Sequence, residues 1–204
     1  RRTLSSLLAE MVHNGILHLI CHKLGVTELI REHDGINGKT LGIIGMGRIG
    51  CALARRAVAC GMKIVYTKRN RMSQEEEAKY GAVYMSKDEV LKCADIVSLN
   101  APYTPETFHI IGEREFDLMK PQAILINTAR GPLVDEKALV TALKEGKIWG
   151  AGLDVFENGD YPSDELTTLN NAVLNPHLGT QTVETRNEMA FVVSQNIINF
   201  YEGG

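Results

Sequence analysis

A glycine-rich segment between a predicted strand and a predicted helix constrains the fold of this chain more than any other feature. Residues 45–50 are Gly-Met-Gly-Arg-Ile-Gly and follow the apolar run 40–44. Gly45 permits a tight turn, Gly47 lets backbone approach a pyrophosphate, and Gly50 lets the helix pack closely on the sheet. The helix N-terminus offers N–H groups and a positive dipole to an anion. The segment predicts a dinucleotide site; the alternative is a packing turn without a ligand.

Short apolar runs alternate with helical segments over most of the chain. The predicted strands are residues 40–44, 63–67, 82–84, 96–99, 123–127, 150–153 and 172–174. The predicted helices are residues 48–60, 73–80, 86–92, 112–118, 135–145 and 183–201, and Ser86 with Glu89 forms a capping box. Several strands are apolar without alternation, as expected of parallel strands that are covered on both faces. The pattern predicts an α/β fold with a doubly wound parallel sheet of the Rossmann type.

The beginning of the chain has a different pattern. Apolar residues recur there at three- and four-residue steps, which predicts an amphipathic helix, at Leu4, Leu7, Leu8, Met11, Val12, Ile16, Leu17 and Ile20. The longest charge-free stretch of this part, residues 11–22, is shorter than the roughly 20 apolar residues of a membrane span, so we expect no membrane segment. His18 and His22 lie four residues apart without a third ligand, so we expect no metal site.

Charge and cysteine usage narrow the class of protein further. The formal net charge is -3, so no basic field favours nucleic acid as a partner. The four cysteines show no Cys-x-x-Cys spacing. In a chain of this size they indicate reduced thiols, and therefore a cytoplasmic location.

The end of the second predicted strand bears on which dinucleotide is bound. An NAD site usually places an acid there, about 20 residues after the glycines, to bond the ribose 2′-hydroxyl. This chain instead has Lys68, Arg69 and Asn70, and no acid before Glu75. Cations attract a 2′-phosphate through charge-assisted hydrogen bonds, so we predict NADP rather than NAD. The alternative is a solvated basic turn that leaves NAD equally acceptable.

Five segments together resemble the D-isomer-specific 2-hydroxyacid dehydrogenases. They are residues 38–45 (GKTLGIIG), 94–99 (ADIVSL) with Pro102 and Thr104, 126–131 (INTARG), 152–157 (GLDVFE) and 176–179 (PHLG). They cover nearly the whole chain in order. The basic end of the second strand resembles the NADP-using glyoxylate and hydroxypyruvate reductases of that family. The resemblance implies an oxidoreductase that transfers a hydride between NAD(P)H and a small 2-keto or 2-hydroxy acid.

The resemblance also implies roles for individual residues. Arg130 would grip the substrate carboxylate with its planar guanidinium and polarise the carbonyl, and His177 would exchange a proton with the substrate oxygen. Asp154 would meet the nicotinamide amide. The other positions implied in cofactor binding are Gly45, Gly47, Arg48, Ile49, Gly50, Lys68, Arg69, Asn70, Asn100, Thr104, Thr128 and Ala129. His109 receives no role.

The sequence departs from the family pattern at the acid that orients the histidine. The corresponding position is Gly159. A carboxylate on an imidazole fixes its tautomer and raises its pKa, so its loss weakens the proton donor. Asp160 or Glu157 would substitute if the loop shifts by a residue or two; otherwise the enzyme is impaired or inactive. We take Asp160, with Arg130 and His177, as the predicted catalytic set.

The second departure is size. Residues 1–35 resemble the interdomain helix region, 36–182 the dinucleotide-binding domain, and 183–204 the returning helix. We therefore expect a chain that lacks most of the family's second, substrate domain, either because it is a fragment or because a disordered lobe is left out of it. Family members are typically dimers, and we expect a homodimer. The alternative function is a non-catalytic nucleotide-binding module, such as a pseudoenzyme or a redox-sensing partner protein.

Overall fold

The computed structural model describes residues 36–159, 161–179 and 181–202. The amphipathic helix predicted over residues 4–20, the interdomain region 1–35, both histidines of the metal argument, and Asp160 lie outside the described residues. Statements about structure below refer to the described part of the chain.

Strands and helices alternate along this part of the chain. The strands are β1 (Thr40–Ile44), β2 (Lys63–Thr67), β3 (Ala82–Tyr84), β4 (Ile96–Leu99), β5 (Ile124–Asn127), β6 (Gly150–Leu153) and β7 (Ala172–Leu174). The helices are α1 (Arg48–Ala59), α2 (Gln74–Tyr80), α3 (Lys87–Cys93), α4 (Glu113–Leu118), α5 (Glu136–Lys144), α6 (Asp164–Thr167) and α7 (Val183–Glu202). Short 3-10 turns occupy Pro105–Thr107 and Gly131–Leu133.

All seven strands form one parallel sheet in the order β3-β2-β1-β4-β5-β6-β7. The chain moves outward from β1 through β2 to β3 and then returns to pair β4 with the other side of β1. The direction of winding therefore reverses between β1 and β4, where open α/β sheets bind ligands. We call the edge that carries the carboxyl ends of the strands the carboxyl edge. The predicted doubly wound parallel sheet is confirmed.

Two apolar clusters sandwich the sheet because successive strand residues point to opposite faces. Leu41 and Ile43 belong to the cluster that contains α1, whereas Ile44 belongs to the cluster that contains α3, α4 and α5. In β5, Leu125 lies in the cluster with α3, α4 and α5, whereas its neighbours Ile124 and Ile126 lie in the cluster with α1. Burial of both strand faces explains why the strands are apolar without alternation.

Four helices begin one residue later than predicted, because the residue that was taken as the first of the helix is its N-cap. Ser73, Ser86, Gly112 and Asp135 are N-caps of α2, α3, α4 and α5. The predicted capping box at Ser86 is confirmed: its backbone N–H donates to the Glu89 carboxylate at 2.9 Å, and its hydroxyl accepts from the Glu89 N–H at 3.3 Å. The helix α6 and the two 3-10 turns were not predicted, because a segment of three or four residues is too short to show a helical pattern of apolar residues.

The helix α7 is mostly exposed in the described part of the chain. Thr185 is buried, whereas Phe191, Phe200 and Tyr201 are 62%, 78% and 82% exposed. Apolar residues at such exposure indicate a surface that packs against another element. No helix of the described residues combines the length and apolar character needed to cross a membrane.

A buried carboxylate ties β2 to α2. Glu77 receives a bidentate pair of hydrogen bonds from Arg71, at 2.8 and 2.9 Å, and a third from the Tyr66 hydroxyl at 2.7 Å. The hydrogen bonds from Arg71 and Tyr66 lower the pKa of Glu77 to about 2. Burial, followed by the hydrogen bond to Glu77, raises the pKa of Tyr66 to about 12. Arg71 is therefore a structural partner of Glu77.

We expect Glu77→Gln to remove a pH-dependent part of the stability. The folded pKa of Glu77 lies below its usual value, so its contribution is present above pH 4.5 and is lost as the pH falls towards 2. Urea unfolding from pH 7 to pH 3 should show the variant least stable relative to the wild type near pH 7, with the gap narrowing in acid. Glu75→Gln, on the exposed side of α2, is the control and should leave the profile unchanged; parallel profiles for Glu77→Gln would contradict the prediction.

Candidate active site

The glycine turn after β1 lies against the backbone at the end of β4. Gly45 has φ +99°, and a Cβ atom there would lie 2.5 Å from the Ala101 nitrogen and 2.6 Å from the Asn100 carbonyl carbon. A Cβ at Gly50 would lie 2.8 Å from the Gly45 oxygen. Both positions therefore require glycine for packing. The turn brings the N-terminus of α1 to the position between β1 and β4, where the direction of chain winding reverses.

The first turn of α1 is open to an anion. Gly47 is its N-cap, no side chain caps the helix, and no acid lies in its first turn. A Cβ at Gly47 would have no neighbour within 4 Å, so the backbone there faces open space. Free N–H groups and a positive helix end suit a pyrophosphate. The exposed Arg48 and half-buried Ile49 begin this helix, and the residues present fit a dinucleotide phosphate.

Two cations, Lys68 and Arg69, follow β2, and neither forms a salt bridge with another residue of the described part of the chain. Lys68 is half-buried and Arg69 and Asn70 are exposed, whereas the neighbouring Arg71 is bound to Glu77. A hydrogen bond from Thr104, and to a smaller extent the charge of Arg69, lower the pKa of Glu106. The charge of Arg69 therefore lies near Glu106 in the loop after β4. The loops after β2 and β4 flank the glycine turn from its two sides.

The loop after β4 is held by its own side chains. Asn100 donates from its backbone to the Ile44 oxygen at 2.7 Å and from its side chain to the Ser98 hydroxyl at 3.0 Å. The Thr104 N–H donates to the Thr107 hydroxyl at 2.8 Å, which starts the 3-10 turn. These bonds fix Asn100 and Thr104 at the carboxyl edge beside the glycine turn.

Asn127 organises the loop after β5 that carries Arg130. Its buried side chain donates to the Arg130 oxygen at 2.9 Å and accepts from the Ala129 N–H at 3.1 Å. The turn leaves Thr128 and Ala129 half-buried and Arg130 exposed, and the guanidinium donates to the Ala129 oxygen at 2.6 Å. The guanidinium keeps most of its donors for another partner. The predicted site did not include Asn127, although it belongs to the segment INTARG.

Asp154 holds the loop that carries His177. Its buried carboxylate accepts the Leu178 N–H at 2.8 Å and the Gly179 N–H at 3.0 Å. Burial raises the pKa of Asp154, although the two N–H bonds and the nearby charge of His177 oppose the rise. His177 has φ +53° and an exposed side chain. Asp154 therefore fixes the His177 backbone, a role that the resemblance did not indicate.

The acid that would orient His177 is not among the described residues. In the salt-bridge contacts of residues 36–159, 161–179 and 181–202, histidine pairs with a carboxylate only at His109. Gly159 has φ +109°, a conformation that a side chain rarely adopts, so a glutamate there would be strained. Glu157, the alternative acid, lies 2.6 Å from the Nε2 of His109 and is committed to that residue.

The site residues meet at one edge because the strands are parallel. The glycine turn, Lys68, Asn100, Arg130, Asp154 and His177 follow the carboxyl ends of β1, β2, β4, β5, β6 and β7. Only β6 separates β5 from β7, so the loops of Arg130 and His177 begin about 10 Å apart, two strand spacings. In the described residues, no group of three His, Cys, Asp or Glu side chains is arranged to hold a metal ion.

Known sequences resemble this chain over most of its length. A family model described as D-isomer specific 2-hydroxyacid dehydrogenase, NAD binding domain, matches residues 22–179. The glyoxylate reductase of Thermococcus litoralis is 55% identical over 169 residues, which are 83% of this chain and 51% of that protein. The glyoxylate reductase of Pyrococcus furiosus is 54% identical over 166 residues, which are 81% of this chain and 49% of that protein. The chain spans about half the length of these curated relatives.

Solved structures share the fold. The crystal structure of a glyoxylate reductase from Paecilomyes thermophila matches with a TM-score of 0.82 and 42% identity, covering 97% of this chain and 62% of that one. The D-lactate dehydrogenase with NAD+ from Lactobacillus jensenii matches with a TM-score of 0.85 and 30% identity, covering 99% and 67%.

We expect Gly47→Ala to separate cofactor binding from folding. The added methyl meets no protein atom within 4 Å, so stability should fall only by the cost of alanine at an N-cap, about 1 kcal/mol. The methyl enters the space in front of the α1 N–H groups, so the affinity for NADP+ or NAD+ should fall at least about tenfold. Urea unfolding and calorimetric titration measure the two effects.

Gly112→Ala is the matched control for this prediction. Gly112 is also an N-cap glycine, and a Cβ there would make only an ordinary contact at 3.6 Å. Its substitution should leave cofactor affinity unchanged. Equal affinities of the Gly47→Ala variant and the wild type would show that the dinucleotide does not bind at this turn.

Proposed function

The chain belongs to the D-isomer-specific 2-hydroxyacid dehydrogenase family, and we propose that it forms the cofactor-binding half of an NADP-dependent reductase of small 2-keto acids. The observation that carries the proposal is the common edge: the glycine turn, Arg130 and His177 all follow carboxyl ends of one parallel sheet. A module that only binds nucleotide has no use for an exposed guanidinium at the same edge of the sheet. The name shared by the relatives favours glyoxylate as the first substrate to test.

Each proposed catalytic residue suits one task in the reduction of a 2-keto acid. When bound, the nicotinamide supplies the hydride. Arg130 grips the substrate carboxylate with two parallel hydrogen bonds and polarises the carbonyl. His177 donates a proton to the oxygen during reduction and accepts it during oxidation. Asp154 meets the nicotinamide amide while its carboxylate keeps the His177 loop in place.

Asp160 is the proposed acid partner of His177. Glu157 is already paired with His109, and Gly159 has no carboxylate. Asp160 directly follows Gly159, whose positive φ lets the loop turn sharply. An acid at that point would fix the imidazole tautomer and support its pKa.

The residues around the phosphates support NADP as the cofactor. The pyrophosphate would bind the turn formed by Gly45, Gly47 and Gly50, with Arg48 and Ile49 in the first helical turn. A 2′-phosphate would meet Lys68, Arg69 and Asn70, and Arg71 takes no part because it binds Glu77. The loops with Asn100, Thr104, Thr128 and Ala129 would line the rest of the cofactor. NAD remains the alternative.

The proposed organisation follows the sequence. Residues 36–182 form the dinucleotide domain, 183–204 the returning helix and 1–35 the interdomain helix region. We propose a homodimer, supported by the exposed apolar side chains of α7. Free thiols at Cys51, Cys60 and Cys93 support a cytoplasmic location.

One observation favours a second function. Gly159 replaces the family's acid, and Glu157 is paired with His109. Within residues 36–159, 161–179 and 181–202, His177 therefore forms no salt bridge with a carboxylate. A non-catalytic nucleotide-binding protein would tolerate that loss. Oxidation of NADPH by the full-length gene product in the presence of glyoxylate, hydroxypyruvate or pyruvate separates the two functions, because a binding module would take up cofactor without turnover.

We expect the full-length gene product to reduce glyoxylate, with a large loss of turnover in Arg130→Lys. Lysine keeps the charge and loses the planar fork, so kcat/KM should fall by about 10²-fold, from poorer orientation of the substrate. Steady-state oxidation of NADPH measures the effect. Arg186→Lys on α7 is the control and should behave like the wild type. Turnover that is unchanged in Arg130→Lys would remove the guanidinium from the mechanism.

We expect Lys68→Ala and Arg69→Ala to reduce the preference for NADPH. Each loses a charge-assisted bond to the 2′-phosphate, so the Kd for NADPH should rise about tenfold while that for NADH stays constant. Fluorescence titration with both cofactors measures the ratio. Lys79→Ala, an exposed lysine of α2, is the control. Tighter binding of NADH than NADPH by the wild type would refute the proposed cofactor.

A further inference from the structure

His109 contacts the loops after three neighbouring strands. It lies in the loop after β4, and its N–H donates at 2.9 Å to the oxygen of Pro132, in the loop after β5. Its Nε2 lies 2.6 Å from the carboxylate of Glu157, in the loop after β6. The imidazole stacks on Phe108 with a centroid distance of 3.8 Å and an angle of 18°. A single side chain thus joins three loops of the carboxyl edge.

The backbone of His109 is held in an uncommon conformation. Its φ is +49°, in the left-handed region that residues other than glycine rarely adopt. Surrounding contacts must hold such a residue in place, and such residues cluster at functional sites. The contacts to Pro132, Phe108 and Glu157 are the ones that hold it.

Glu157 extends the contact into α5. Its second carboxylate oxygen accepts the Glu136 N–H at 3.0 Å. The Glu136 carboxylate in turn accepts the Glu157 N–H at 3.2 Å and the Ser163 N–H at 2.8 Å. Asp135 lies 3.9 Å from the Nδ1 of His109. The two glutamates therefore bind each other's backbone reciprocally, and His109 completes the arrangement.

The same three loops touch through their backbones. A Cβ at Gly131 would lie 1.7 Å from the Phe156 oxygen, so the loops after β5 and β6 are in direct contact. Ile111 pairs with Val134 as a parallel bridge, which joins the loops after β4 and β5. Gly131 is the residue after Arg130, and Glu157 lies three residues after Asp154. The contacts of Gly131 and Glu157 therefore lie within three residues of Arg130 and Asp154 along the chain.

We propose that His109 is a positioning residue: through Glu157 it keeps the loops of Arg130 and Asp154 in one fixed arrangement. The proposal rests on the proposed reductase function for its kinetic consequence, and on the contacts alone for its structural one. Within the described residues His109 makes no contact with the glycine turn, so the pyrophosphate contacts should stay intact in its variants and cofactor affinity should change much less than turnover. Turnover depends on it because small displacements of orienting groups are costly in rate.

His109→Gln and His109→Asn form a matched pair of variants. Both carry an amide, but only the longer glutamine reaches Glu157 with an N–H donor. Asparagine tolerates positive φ, so the His109→Asn variant is able to fold. The experiment measures amide hydrogen exchange at Glu136 and Glu157, the kcat for glyoxylate, and the Kd for NADPH in the wild type and both variants.

In His109→Asn the two amides should exchange about tenfold faster and kcat should fall about tenfold or more, with the Kd for NADPH within about twofold. His109→Gln should restore both exchange and kcat towards the wild type. Exchange and kcat in His109→Asn that equal those of the wild type would overturn the proposal. If the wild type shows no turnover, the proposed function fails, and the amide exchange rates alone test the positioning role. Faster exchange in His109→Asn than in His109→Gln then supports this role, and equal exchange rates in the two variants overturn it.

Discussion

The parallel pairing of β1 with both β2 and β4 is the constraint on which the site depends. It places the turn after β1 between two other strand ends, where the direction of chain winding reverses. It also forces Gly45 against the backbone of Asn100 and Ala101, so that a side chain has no room there. The N-terminus of α1 is left pointing at open space. One pairing pattern thus creates both the crevice and the anion-binding end of the helix.

Buried polar side chains then fix the loops that surround this crevice. Asn127 and Asp154 form hydrogen bonds with backbone groups of the loops that carry Arg130 and His177. A buried polar group needs such partners, because an unsatisfied one is costly. Arg130 and His177 themselves remain exposed. Rigid support beneath exposed functional side chains is what a substrate site requires.

Local patterns in the sequence predicted the elements well, because their physical causes are local. The capping box at Ser86 depends on a partner three residues away, and the apolar strands depend on burial of both faces. Contacts between distant residues carry no such signal. His109 and Glu157 are 48 residues apart, and nothing in their neighbours predicts that they meet. For the same reason, the sequence did not show that Glu77 occupies Arg71, or that Glu157 is unavailable to His177.

The most direct test of the dinucleotide site is an amide NMR titration of the chain with NADP+. Binding at the carboxyl edge should shift the amides of the glycine turn first, together with those of Lys68 and Arg69, while the amides of α4 and α5 far from that edge stay constant. Shifts that avoid residues 45–50, or no shift at saturating cofactor, would contradict the assignment of this edge as the dinucleotide site.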